Sequence, residues 1–329
     1  MGFAAGSLVN ARGQKLHTVN WVPAAPPKAV VCWAHGYGEY VDRFKGVFPR
    51  YMDSQIAVHA MDAHGHGLSE PLTGKDRWIV WNFKDLVDDH VAFVRSIALQ
   101  YEGQGVPLFL AGNSLGGLIT LHAAAQMPGA IAGLVLQGAL VDVEWNLTMR
   151  MQAPLGGLLA MLMPRAQIVP AVIPEHMSQD KQVVADLLAD PMIRHGNVSV
   201  RSGNEILKES RLSHCCRPHV GLAPLRVPAR TPHPHPTPVP PPPLRRQAVQ
   251  KLLATVPSTD TQMVIVPGGY HELHMGPEKA EVQAGIVAWI LKHSAPAGAQ
   301  ATVPVSMAGK SLGAPAVIVA ESSIPDARL

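Results

Sequence analysis

Residues 112–117 read Gly-Asn-Ser-Leu-Gly-Gly, a serine with a glycine two positions to either side. A serine hydroxyl attacks a carbonyl efficiently only when a neighbouring base takes its proton. Glycines at these two offsets allow the close chain approach that a sharp strand-to-helix turn demands. The flanks suit such a turn, with an apolar run over Val106–Ala111 before it and a second from Leu118 onward. Ser114 would then stand at a helix N-terminus, where the dipole and free backbone N–H groups favour a developing oxyanion. The chemistry implied is acyl transfer with Ser114 as nucleophile.

Two further stretches complete the requirements. His35-Gly-Tyr-Gly-Glu39 closes an earlier apolar run. In that position the Tyr37 backbone N–H lies near that of Leu115, giving a two-donor oxyanion hole for a tetrahedral intermediate. Near the C-terminus the run Thr261–Val266 leads into Pro-Gly-Gly-Tyr-His-Glu-Leu-His. A general base is needed on a loop after a late strand, and both His271 and His274 stand there.

Positioning these groups takes an alternation of strands and helices. Lys28–Trp33, Ile56–Met61, Val106–Ala111, Ile131–Leu136 and Thr261–Val266 are short aliphatic runs of the kind that form buried parallel strands. Between them, 82–101 carries Phe83, Leu86, Val87, His90, Val91, Val94 and Ile97 at helical spacing, and 277–293 carries Val282, Ile286, Trp289 and Ile290. The class expected is α/β, with a mostly parallel, doubly wound sheet. Residues 141–212 turn Met-rich and Pro-punctuated, which suits a helical cap inserted over the sheet. The expected organisation is a core over 1–140, the cap over 141–212, an irregular segment over 213–243, the second part of the core over 244–294 and a disordered tail over 295–329.

The motifs His35–Phe44 (HGYGEYVDRF), Met61–Glu70 (MDAHGHGLSE), Gly112–Gly117 and Gly268–His274 (GGYHELH) occur in this order at sensible separations. Together they resemble the monoacylglycerol lipase and lysophospholipase branch of the α/β-hydrolases, often grouped with serine-aminopeptidase-like hydrolases. The resemblance covers roughly residues 6–227 and 256–293. It implies an α/β-hydrolase fold and an esterase of lipophilic monoesters, with Ser114 as nucleophile, His271 rather than His274 as base, and Tyr37 and Leu115 as oxyanion donors. It further implies that Glu39, Arg43 and His274 line a polar pocket for the substrate's head group. Asp62, His64 and His66 match a structural turn of the family, so they are expected as turn formers and not as metal ligands. No metal or cofactor is implied.

One element of the pattern is missing. A serine triad needs a carboxylate to hold the histidine in the right tautomer, and in the family it follows a strand some thirty residues before the histidine. Here that place falls in Pro228–Pro243 (PARTPHPHPTPVPPPP), where nine of sixteen residues are proline. Proline lacks the N–H that an interior strand must donate. No Asp or Glu occurs between Ser210 and Pro257. Asp142 and Glu144, after the run Ile131–Leu136, and Asp260 remain as substitutes, with Asp142 leading. If none serves, a second reading applies, a catalytically impaired binding module. Pro240, Pro243 and Arg245 then offer a P-x-x-P-x-R motif to an SH3-type partner.

Composition narrows the rest. Hydrophobic residues make up 47% of the 329 and the net charge is +3, which suits a globular enzyme and argues against a nucleic-acid partner. Three cysteines form no disulfide framework. The N-terminus has no basic segment before an apolar run, so no signal peptide is expected, and a cytoplasmic location follows. The terminal Ala327-Arg328-Leu329 offers a peroxisomal alternative. The soft Met- and Leu-rich cap favours acyl chains and peripheral contact with membrane.

Overall fold

The computed structural model describes residues 2–141, 156–210, 249–253, 260–266, 269–294 and 316–321. Its frame is an eight-stranded sheet in the order β1-β2-β4-β3-β5-β6-β10-β9. β1 (Gly2–Val9) and β2 (Lys15–Val22) form an antiparallel hairpin at one edge, and β2 pairs antiparallel with β4. From β4 (Ile56–Met61) through β3 (Ala29–Ala34), β5 (Leu108–Asn113), β6 (Gly133–Gln137), β10 (Ala316–Glu321) and β9 (Thr261–Val266) every pairing is parallel. Antiparallel entry followed by a parallel, helix-covered sheet is the α/β-hydrolase arrangement expected from the sequence.

Parallel strands bury both faces, so continuous apolar runs replace alternation. In β3, Val30 and Cys32 join one core cluster while Val31 and Trp33 join the other. The first cluster is covered by α2 (Phe83–Gln100) and α3 (Leu115–Ala125). In α2 the buried residues include the whole expected stripe, and Asn82 caps it by accepting a hydrogen bond from the Lys84 amide at 3.2 Å. The second cluster lies under a 3-10 turn (Val41–Gly46), α1 (Pro49–Asp53) and a late helix over Lys279–Ser294, with Phe44, Phe48, Tyr51 and Trp289 at its centre.

Between β6 and β9 the described chain forms the cap. It has a helical stretch over 156–162, α4 (Lys181–Ala189) and α5 (Val200–Glu209), but also a two-stranded ribbon of β7 (Gln167–Val169) and β8 (Val198–Ser199). The helical segment expected over 141–212 thus carries a short ribbon beside its helices. Pro164 and Pro170 bracket β7, leaving only a short extended stretch between them. The cap docks on the core through the Arg194 amide, which donates to the Gly38 carbonyl at 2.8 Å, and through Tyr40, whose hydroxyl donates to Asp190 at 2.7 Å.

A correction concerns the tail. Residues 295–329 carry no amphipathic pattern, yet Ala316–Glu321 forms β10. It is hydrogen-bonded to β6 on one side and β9 on the other. Ala-Val-Ile-Val-Ala is a fully apolar run, the pattern of a strand buried on both faces. The slot beside β9, expected to be disrupted by the Pro-rich segment, is therefore filled from the C-terminus. The Pro-rich segment, its P-x-x-P-x-R motif and Ala327-Arg328-Leu329 lie outside the described residues.

Candidate active site

Ser114 is the junction between β5 and α3, and its backbone has φ +50° and ψ −119°. A non-glycine residue there is strained, at a cost of order 1–3 kcal/mol, and such strain persists only where its surroundings enforce it. The enforcement is visible on all sides. The Ser114 amide donates to the Gln137 carbonyl at 2.9 Å, and the Ser114 carbonyl accepts from Leu118 and Leu140. A Cβ on Gly112 would meet the Gly116 backbone at 2.6 Å, and one on Gly116 would collide with the carbonyl of Ala34. Both glycines are thus required by contact with backbone. The helix that follows starts at Leu115, whose amide is the first of α3.

The loop after β3 faces this turn. Among the described residues, neither the Tyr37 nor the Leu115 amide donates to a protein acceptor. The loop is held from behind by His35, buried at 3% exposure. Its Nε2 accepts from the Ala63 amide at 2.9 Å, so Nδ1 carries the proton and donates to the Gly36 carbonyl at 2.7 Å. Burial lowers the His35 pKa to about 4, which keeps the ring neutral and this tautomer fixed. Gly38 (φ +74°) turns the loop beneath Arg194, where any Cβ would strike the Arg194 Cβ.

Behind the turn lies a buried polar cluster. Asn113, the residue before the serine, donates from Nδ2 to Glu39 Oε1 at 2.9 Å. Arg43 donates to Glu39 Oε2 at 3.3 Å and to both oxygens of Glu272 at 2.7 and 3.1 Å. Glu39, Arg43 and Glu272 are all nearly excluded from solvent. Burial, reinforced by the like charge of Glu272, outweighs Arg43 and drives the Glu39 carboxyl above its ordinary range. For Glu272 burial acts the same way, but the bidentate Arg43 outweighs it and holds the carboxyl below that range. Burial also works against the Arg43 charge, and the two carboxylates together overcome it and push its pKa up.

His271 follows β9 on a loop seated against the cap, its amide donating to the His176 carbonyl and that of Glu272 to the Met177 carbonyl. It is 7% exposed and lies within electrostatic range of Glu39, Glu272 and His274. Because Glu39 binds the neighbour of Ser114, the polar cluster links the histidine loop to the serine turn. His274 stacks on Phe44 at 4.9 Å, and burial lowers its pKa to about 4. Neither of its ring nitrogens has a protein partner among the described residues.

Ligand atoms of Glu39, Glu272 and His274 approach within 4.8 Å of one another. The Arg43 guanidinium already occupies the carboxylates as their counter-charge, so this trio reads as an ion-pair network and not as a cation cage. Asp62 acts as the turn former expected, accepting from the amides of Val41 at 2.7 Å and Leu68 at 2.8 Å. His66 is likewise tied into that turn, bonded from Nδ1 to the His64 carbonyl. His64 Nδ1 instead pairs with Asp89 at 3.0 Å.

The candidate acids divide. Asp142 and Glu144 lie outside the described residues. Asp260 sits at the amino end of β9 and pairs with His293 at 3.3 Å, at the far end of the strand from His271. Two members of the polar cluster, Asn113 and Glu272, were not singled out from the sequence. Each adjoins a named residue, and a buried Arg43 needs a carboxylate.

Residues 25–220 match the serine aminopeptidase, S33 family, which is more than half the chain. The chain is 29% identical over 295 residues to the monoglyceride lipase of Homo sapiens, covering 88% of this chain and 91% of that protein. It is 28% identical over 282 residues to the monoacylglycerol lipase of Mycolicibacterium smegmatis, covering 83% and 91%. In fold it resembles a soluble variant of the Saccharomyces cerevisiae monoglyceride lipase, with a TM-score of 0.69 at 20% identity over 89% of this chain and 95% of that one. The strained serine turn and these similarities agree, and the chain belongs to the serine aminopeptidase S33 family of α/β-hydrolases.

Proposed function

We propose that the protein hydrolyses carboxylic esters with lipophilic acyl chains, monoacylglycerols or lysophospholipids, through an acyl-enzyme on Ser114. The observation that carries this reading is Ser114 itself, held at φ +50° at the N-terminus of α3 between two glycines where an added Cβ would press into backbone. Names among the relatives support the substrate class. His271 takes the Ser114 proton as Oγ attacks the ester carbonyl. The oxyanion that forms is met by the Tyr37 and Leu115 amides. Collapse expels the alcohol, which receives the proton from His271, and water repeats the sequence to release the fatty acid.

The head-group pocket is formed by Glu39, Arg43 and His274. His274 brings two buried ring nitrogens without protein partners, suited to the hydroxyls of glycerol. The acyl chain and the membrane are served by the cap, where Leu158, Met161, Leu162, Met163, Ile168 and Leu188 are each about half exposed or more. Such a patch suits transient contact with a lipid surface. Among the described residues no helix is long and apolar enough to cross a membrane.

Release of oleic acid from 2-oleoylglycerol in detergent micelles tests the reading. Wild type is expected to turn over, and Ser114→Ala to lose roughly 10⁴-fold or more in kcat with an unchanged melting temperature. Equal rates for the two proteins would end the proposal.

A further inference from the structure

The base His271 requires a carboxylate, and the stretch between Ser210 and Pro257 contains none. We infer that Glu321, at the carboxyl end of β10, is the residue that positions His271, so the triad is completed by the C-terminal segment of the chain. This rests on Ser114 and His271 acting as proposed above.

Strand register places these residues. Asn113 of β5 lies opposite Gln137 of β6, Gln137 opposite Val319 of β10, and Val319 opposite Val264 of β9. Ser114 therefore leaves the sheet one residue beyond this line. Glu321 stands two residues beyond it, opposite Val266, the last residue before the loop that bears His271. All these strands run parallel, so serine, histidine and Glu321 emerge at the same carboxyl edge, where ligands of open α/β sheets bind. Adjacent strands lie about 4.8 Å apart. A residue on β10 is one such step from β9, whereas β6, the strand that precedes Asp142, is two steps away with β10 between. Asp260 belongs to the opposite end of β9. Glu321 is thus the acidic residue that the described topology brings next to the histidine's strand at the reactive edge.

The chemistry balances without a further group. When His271 Nε2 takes the Ser114 proton the ring becomes imidazolium, and a carboxylate at position 321, remaining ionised, supplies the counter-charge that stabilises it. The proton leaves with the alcohol, and the carboxylate neither gains nor loses one.

The test compares wild type with Glu321→Gln, Glu321→Asp, Asp326→Asn and Asp142→Asn in the full chain. Glu321→Gln is expected to lower kcat by roughly 10³- to 10⁴-fold with KM little changed. Glu321→Asp should restore part of the loss, and Asp326→Asn should behave as wild type. A second reading is independent of turnover: the NMR titration of the His271 ring, assigned with His271→Gln. Its pKa should fall by about one unit or more in Glu321→Gln, because the imidazolium loses its counter-charge. Should that variant melt early, Glu321→Ser carries the same expectations. A full-rate Glu321→Gln, an unmoved His271 titration, or loss of activity in Asp142→Asn with Glu321→Gln active would overturn the inference. If wild type releases no fatty acid, the hydrolase reading falls, while the titration still decides the pairing.

Discussion

The sheet has two halves built in different ways. Around Ser114, β3, β4 and β5 lie within one continuous span of chain, and every residue of all three is buried. At the other end, β10 inserts between β6 and β9 although it follows both in sequence. β9 has five of its six residues only partly buried. The nucleophile is thus set by a compact, locally coded unit. The base stands on strands that come together only when the last part of the chain arrives. Because β10 is synthesised after both strands it joins, the histidine half is expected to form after the serine half.

Arg43 ties the halves together, reaching from the 3-10 turn beside the serine half to Glu272 on the histidine loop. Breaking that strap gives the largest stability effect. Arg43→Met, which keeps the volume, should cost about 3–5 kcal/mol, because two carboxylates are left buried without a counter-charge. Urea melts measure it, and adding Glu272→Gln to that variant should recover part of the loss. A smaller effect lies wholly within the serine half. Gly116→Ala pushes a methyl group against the Ala34 carbonyl and should cost about 1–3 kcal/mol. Its activity should fall more than its stability, since the turn that presents Ser114 must shift.

Acid tests both halves at once. His35 in one and His274 in the other have pKa values lowered by burial to about 4, whereas the unfolded chain titrates near 6.5. Between those values the unfolded state binds more protons, so stability is fully present above about pH 6.5 and declines as pH falls towards 4. Each ring contributes a slope approaching 1.4 kcal/mol per pH unit. Denaturant melts across pH 4–7 should show that decline, and His274→Gln should flatten it. The mildest contrast is kinetic. Amides of β9, a partly buried edge strand, should exchange with deuterium before those of β3, β4 and β5.

The same division decides what could be read in advance. Apolar runs over 28–33, 56–61 and 261–266 became β3, β4 and β9 within a residue, because a buried parallel strand writes itself as an unbroken aliphatic stretch. The Ser114 turn was legible because its backbone geometry admits so few residues at 112 and 116. β10 carries the same kind of run, Ala-Val-Ile-Val-Ala, but it sits in a Pro-, Ala- and Ser-rich tail and far from its partners. Local pattern gives strand propensity and says nothing about which slot a strand will fill. The hairpin of β1 and β2 was unread for a different reason. β1 is largely exposed, and its Gly-Ala-rich sequence has no apolar face. The ion-pair cluster shows the limit for side chains: Glu272 adjoins the predicted base, yet its role depends on an arginine 229 positions away.

The most direct test of the account is the mass of the intact protein after treatment with a fluorophosphonate. One adduct is predicted, on the peptide containing Ser114, absent from Ser114→Ala and greatly slowed in His271→Gln. A protein that stays unmodified, or an adduct that persists in Ser114→Ala, would contradict the claim that this strained serine is the nucleophile.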